Sequence, residues 1–310
     1  MRDIVSLLQL ILLLVRHRPE LVIYSTPKMA LLGCLACRIL RKPGIYIHRG
    51  AVYQNYSGLR FKIFKEIDKY IIKNSNKIYF ISKSLFYWVR SAIKCDRLAT
   101  YSREYNSAQG IDLVKFNIER SRSIRRARVD SPLVVGYLGR LCVDKGINVF
   151  FEVARSLPGV RFLVKGNADP DYPMPERVSK LKNLVLEPWG DDVREFFESV
   201  DILLFPSVRE GFGNVCMEAA ACGVLTIGRR IPGVTDSVLD GQTGWLIDAG
   251  TDFQRTACEI IRHYDKNVGL AAAMRAIDVA VERFDSSKVL GDFDTLIAEC
   301  MQLRDKDRQV

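Results

Sequence analysis

Asp201–Gly223 reads DILLFPSVREGFGNVCMEAAACG. Ile202–Phe205 is an unbroken apolar run closed by Pro206. A strand with no polar alternation is buried on both faces, which marks a parallel sheet, and proline ends its ladder. Gly211 and Gly213 then allow a tight turn and a close approach of backbone to ligand. Asn214 is placed to cap the helix that follows. The backbone N–H groups of Phe212, Gly213 and Asn214 would be left for an anion or hydroxyls. Glu210 lies before this helix and Glu218 lies about one turn inside it. An acid/base pair needs both carboxyls at one bond, with pKa values pushed apart, and the spacing asks for neither. Ionised carboxylates accept hydrogen bonds, so each suits a vicinal diol: a sugar at one end and a ribose at the other.

The same strand–turn–helix grammar extends in both directions. Strands are expected at Leu133–Leu138, Arg161–Lys165, Leu184–Leu186, Val224–Ile227 and Gly244–Ile247. Helices are expected near 145–157, 191–199, 213–221, 232–239, 251–264 and 267–281. The first half repeats the pattern less regularly. Strands are expected at Leu21–Tyr24, Ile45–His48, Lys77–Ile81 and, weakly, Leu98–Tyr101. Helices are expected at Met29–Leu40, Leu59–Lys73 and from Ser82 to about Ile93. Residues 117–130 (NIERSRSIRRARVD) are polar and basic with no apolar face, and read as a linker. The boundary between a first domain (1–120) and a second (131–285) is placed there. A last helix, about 286–303, is free to pack back on the first domain. The class is α/β, with parallel sheets built from right-handed crossovers. Ligands in such sheets sit at the carboxyl ends of the strands, after Leu138 and after Phe205.

Bulk composition supports a folded, core-forming chain: 310 residues, 48% hydrophobic and 26% charged. The net charge of +10 is uneven: residues 1–130 hold 25 Lys+Arg against 9 Asp+Glu. That half therefore suits an anionic partner, a membrane surface being favoured over nucleic acid because no aromatic stacking platform or reader motif accompanies the charge. The apolar run Ile4–Val15 falls short of the roughly twenty residues that span a bilayer. It reads as a buried or interface-lying helix. No signal-peptide cleavage site is evident, so the eight Cys are expected as free thiols. Cys34 and Cys37 have CxxC spacing, but inside an apolar helix and without a second ligand pair.

A second candidate segment, Gly136–Gly146 (GYLGRLCVDKG), leaves its strand through Gly139, presents Arg140 and reaches Lys145 at a helix start. Two cations beside free N–H groups suit a phosphate dianion. Asp169-Pro-Asp171 has the DxD spacing of a carboxylate pair that could hold a metal, but in a proline-rich loop.

GRLCVDKG, PSVREGFGNVCMEAAACG and IPGVTDSVLDGQTGWLID, in that order, resemble the donor domain of family 4 retaining glycosyltransferases with the GT-B fold. More weakly, YSTPKMALLGCLACRIL, IYIHRGAVY, KIYFISKSL and YNSAQGIDLVKF resemble successive pieces of the acceptor domain of enzymes that build bacterial surface polysaccharides (capsule, lipopolysaccharide, O-antigen) on a lipid carrier. The resemblance implies two Rossmann-like domains facing a cleft. It implies a nucleotide-sugar donor, UDP-linked and carrying a hexose or N-acetylhexosamine, and a lipid-linked or polysaccharide acceptor. Arg140 and Lys145 would hold the diphosphate. Glu210 would bind donor-sugar hydroxyls, with Gly211 and the N–H groups of Phe212, Gly213 and Asn214 beside it at the donor, and Glu218 would bind the ribose. The departing phosphate would serve as base, with neither metal nor cofactor, at the cytoplasmic membrane face.

Two departures from the family stand out. Members begin with a Gly-rich strand–helix unit, and here Arg2–Arg16 looks like a later helix, so the acceptor domain reads as incomplete. A nucleotide-binding relative with impaired catalysis is therefore the alternative. The family also has a His before Gly after the strand at 45–48. Here the run is His48-Arg49-Gly50, and both His48 and Arg49 are candidates.

Overall fold

The computed structural model describes residues 2–95, 98, 102–104, 110–190 and 192–307. The chain divides into two units: Met1–Ala108 with Ser287–Val310, and Gln109–Ser286. The first contains β1 (Val22–Ser25), β2 (Gly44–His48), β3 (Lys77–Phe80) and β4 (Ser102–Glu104), all parallel and in sequential order. The expected strand Leu98–Tyr101 lies largely outside the described residues. Helices Pro27–Leu40, Gly58–Asn74 and Lys83–Ile93 make the crossovers. The last helix, Ser286–Asp307, belongs here: Lys77 Nζ lies 3.1 Å from Glu299 Oε2, and Phe293 meets Tyr79 edge-on.

The second unit holds β5 (Val134–Leu138), β6 (Arg161–Lys165), β7 (Leu184–Glu187), β8 (Ile202–Phe205), β9 (Leu225–Arg229) and β10 (Gly244–Ile247). All are parallel, in the order β10-β9-β8-β5-β6-β7. Val135, Phe150, Phe162, Ile202 and Leu204 are fully or almost fully buried between sheet and helices. The order reverses between β5 and β8. Connections leave these two strands in opposite directions, so a crevice opens outside their carboxyl ends. The loops after Leu138 and Phe205 border it.

The expected linker at 117–130 is instead the helix Ile118–Ala127, and the second unit starts at Gln109, ahead of the expected boundary. The helix escaped detection because it docks through charge rather than an apolar stripe. The buried Arg125 donates to the carbonyls of Val200 (2.6 Å) and Phe197 (2.7 Å). Arg120 forms a two-point pair with Glu198, and Arg128 does the same with Asp201. Such charge-assisted bonds anchor an element that hydrophobic periodicity cannot reveal.

Candidate functional site

The two loops at the switch point are stitched together through backbone. Val208 N–H and Ser207 Oγ–H both donate to the Asp144 carbonyl, at 3.0 and 3.3 Å. Arg209 Nη2 reaches the Asp144 carboxylate at 2.9 Å. Gly146 is left-handed (φ 72°), and a Cβ there would stand 2.4 Å from the Pro206 carbonyl oxygen. This close approach requires glycine and brings Lys145 beside the second loop.

Lys145 Nζ then meets Glu210 Oε1 at 2.6 Å, with only a tenth of the Glu210 side chain exposed. Residues 65 apart in sequence thus form one half-buried ion pair at the mouth of the crevice. Arg140 lies on the adjoining loop and holds both oxygens of Asp169, at 2.8 and 3.1 Å. Asp169 of the DxD stretch is therefore engaged by a guanidinium. Among the described residues no cluster of three or more His, Cys, Asp and Glu has metal-ligand geometry.

Asn214 does not cap the helix. Gly213 takes that position, left-handed at φ 84°, and the helix runs Asn214–Ala221. A left-handed N-cap favours a residue without Cβ, so the cap falls one position earlier than expected. The Oδ1 of Asn214 is buried without a hydrogen-bond partner. The Phe212 side chain is buried edge-on against Phe284 and anchors the loop from below. The N–H groups of Phe212, Gly213 and Asn214 donate no hydrogen bond among the described residues. They are the unsatisfied donors of a helix start.

Glu218 sits deeper. Burial pushes its carboxyl up to about 7, against a smaller downward pull from Lys115. Neither the burial nor the reach of Lys115 was legible in the sequence, because both depend on which distant segments pack near this helix, among them Leu113–Phe116. A carboxyl raised in the folded state favours folding fully below its unfolded value near 4.5, and that contribution is lost as pH rises through about 7. Unfolding free energy is thus expected to fall by about 3 kcal/mol between pH 5 and pH 8 in the wild type, relative to Glu218→Gln. Urea denaturation of both proteins across this range checks it, and parallel profiles would contradict the burial of this group.

In the first unit, His48 ends β2 and is fully buried, whereas Arg49 is exposed. His48 Nε2 lies 2.9 Å from Asp68 Oδ2, and the ring stacks on Phe80 at 4.8 Å. Asp68 also accepts from the hydroxyls of Tyr46 (3.0 Å) and Tyr53 (2.8 Å). His48 is therefore a core residue held by a carboxylate, not a group presented to solvent. Asp68 and the two tyrosines went unnoticed in sequence because no local spacing links positions 46, 53 and 68. Of the sequence candidates, Lys145, Glu210 and Gly211–Asn214 share one loop cluster, with Gly139 and Arg140 on its flank and Glu218 further along the helix.

Residues 132–266 match the family described as Glycosyl transferases group 1. The chain is similar to the capsular polysaccharide biosynthesis glycosyltransferase CapM of Staphylococcus aureus, 29% identical over 83% of this chain and 70% of CapM. It is also similar to the lipopolysaccharide core biosynthesis glycosyltransferase LpsE of Rhizobium meliloti, 27% identical over 57% of this chain and 54% of LpsE. Among solved structures, Anabaena HepE in complex with UDP-glucose superposes with a TM-score of 0.76 at 19% identity, covering 94% of this chain and 82% of that one. Sucrose-phosphate synthase from Thermosynechococcus elongatus gives 0.75 at 18% identity, covering 95% and 78%. These two likenesses show the shared GT-B fold.

Proposed function

From the premise that this chain is a group 1 glycosyltransferase, we propose that it moves a sugar from a UDP-sugar to a lipid-linked or polysaccharide acceptor, with retention of configuration. The observation that carries this reading is the Lys145–Glu210 pair at the switch point, beside three N–H groups that donate no hydrogen bond among the described residues. Lys145 and Arg140 supply positive charge where a diphosphate would leave. Such charge lowers the barrier when it acts more strongly on the departing group than on the bound donor. Glu210 accepts hydrogen bonds from sugar hydroxyls once a phosphate competes for Lys145. Glu218, in its half-buried position, takes the ribose diol. Retention follows if the departing phosphate receives the acceptor's proton on the face it leaves. The cations of these loops do the work that a metal would do, so no metal is required. UDP-glucose found with HepE and the polysaccharide roles of CapM and LpsE support the donor and acceptor classes. The test is transfer and donor hydrolysis by the purified chain with UDP-glucose and UDP-N-acetylglucosamine, the anomer being read by NMR. Nucleotide binding without turnover of any donor would instead favour a non-catalytic relative.

The acceptor is proposed to be met at the inner membrane face. Helix Arg2–His17 exposes Ile4, Leu8 and Leu12, four residues apart and each more than half accessible. The first unit carries 23 Lys+Arg against 11 Asp+Glu. Among the described residues no helix is long and apolar enough to cross a membrane. An apolar face with surrounding positive charge suits lying in the interface of an anionic bilayer. Leu8→Asp with Leu12→Asp is expected to lower partitioning onto phosphatidylglycerol vesicles by at least about tenfold, from the lost apolar burial. Salt should weaken wild-type binding as well. Cosedimentation checks both, and salt-independent binding would remove the electrostatic part.

A further inference from the structure

The opposite end of the second sheet holds a cation cluster that the transfer reaction does not use. Asp201 immediately precedes β8, and its carboxylate accepts from Val134 N–H at the start of β5 at 2.9 Å. The cluster thus lies at the amino ends of the central strands. The crevice loops leave their carboxyl ends, about 15 Å away at the usual rise per residue. Three cations converge on this one carboxylate. Arg128 Nη2 lies at 3.0 Å, Lys266 Nζ at 3.3 Å and Arg125 Nη1 at 3.7 Å. Two positive charges are left in excess.

Part of the arrangement is structural. Arg125 donates to the carbonyls of Val200, Phe197 and Glu198, and Lys266 donates to the carbonyls of Arg128 and Ser131 at 2.6 and 2.9 Å. Donors remain nevertheless. The Nε of Arg125 is buried without a partner, although this side chain is only 4% exposed. Arg128 Nη1 and the Tyr264 hydroxyl make no hydrogen bond among the described residues. Arg125, Arg128, Tyr264 and Lys266 line one pocket with Gly223 and Gly269. Burial lowers the Lys266 ammonium; Asp201 pulls it the other way, and the two arginines add a smaller downward push.

We propose that this pocket binds a small oxyanion of the phosphate class, at a site separate from the crevice. A phosphate dianion matches the excess of two charges, and guanidinium donors fit its oxygens. The pocket also touches Gly223, just beyond the helix Asn214–Ala221 that begins at the crevice loop. An occupant would therefore brace that helix from behind.

The experiment is thermal unfolding of Lys145→Ala, a background that weakens phosphate binding at the crevice, titrated with inorganic phosphate or a hexose monophosphate at matched ionic strength. A saturable rise of about 5 °C is expected at a hundredfold excess over the dissociation constant. It should be lost in Lys145→Ala/Arg128→Gln. Saturation by inorganic phosphate identifies free phosphate as a ligand, and saturation by the ester alone identifies a phosphate ester. An equal rise with sodium chloride, or one that survives Arg128→Gln, would overturn the site. Should that variant not fold, Tyr264→Phe is titrated by calorimetry with the same two probes. A dissociation constant unchanged by the loss of this hydroxyl would overturn it equally.

Discussion

Lys145→Ala is expected to lower turnover about 10²–10³-fold, the range seen when one preorganised donor to a developing negative charge is removed. The side chain stands 2.6 Å from Glu210, half-buried, where its charge is poorly screened. UDP affinity should fall less, about tenfold, because the diphosphate gains its last charge only as the sugar departs. Steady-state kinetics alongside UDP calorimetry separate the two effects. Equal losses in turnover and affinity would mean that Lys145 binds the donor without acting on the leaving group. Removing Lys145 also leaves Glu210 without its cation, so the unfolding midpoint must be recorded beside the kinetics. Glu210→Gln gives the complementary control, since it keeps the shape and frees Lys145.

Asp68→Ala should have the largest effect on stability, about 3–5 kcal/mol, because it removes one member of a buried charged network. Three buried donors, Tyr46, Tyr53 and His48 Nε2, lose their shared acceptor at once. Leaving such groups unsatisfied costs more than the bonds themselves contribute. Asp68→Asn keeps one acceptor oxygen and should cost about 1–3 kcal/mol. Urea unfolding in a Trp189→Phe/Trp245→Phe background, which leaves Trp88 as the single tryptophan, 5.6 Å from Tyr53, reads the first unit directly. A midpoint unchanged by Asp68→Ala would show that the network is not satisfied in solution. Burial raises the Asp68 carboxyl, but His48 and the tyrosine hydroxyls outweigh it and the net shift is downward. Its contribution is therefore present above the usual carboxylate value of 3.8 and is lost as pH falls through the lower folded one.

Much of the fold was legible because its signals are local. Ile202–Phe205 is apolar without alternation, and it is a central parallel strand. Arg161–Lys165 and Gly244–Ile247 have the expected bounds, and neighbouring strands shift by a residue or two. The loops after Leu138 and Phe205 could be singled out because strand–turn–helix junctions announce themselves through glycine and proline. The helix at 118–127 could not be read in this way. Its anchors are carbonyls at Phe197 and Val200 and carboxylates at Glu198 and Asp201, some seventy residues on.

The site divides along the same line. By itself, the sequence determined the alternating α/β order, the two loops and the residue types they carry, because periodicity and turn chemistry act over a few residues. Tertiary structure alone decided the partners. Lys145 meets Glu210 because β5 lies beside β8 and Gly146 lets the two backbones close to contact. Arg140 is paired with Asp169, and Glu218 is raised by burial rather than exposed as a plain carboxylate. His48 turned inward to Asp68 while Arg49 turned outward. Each of these depends on which distant segments the sheet order brings together, and charge and desolvation act through space, with no regard for distance along the chain.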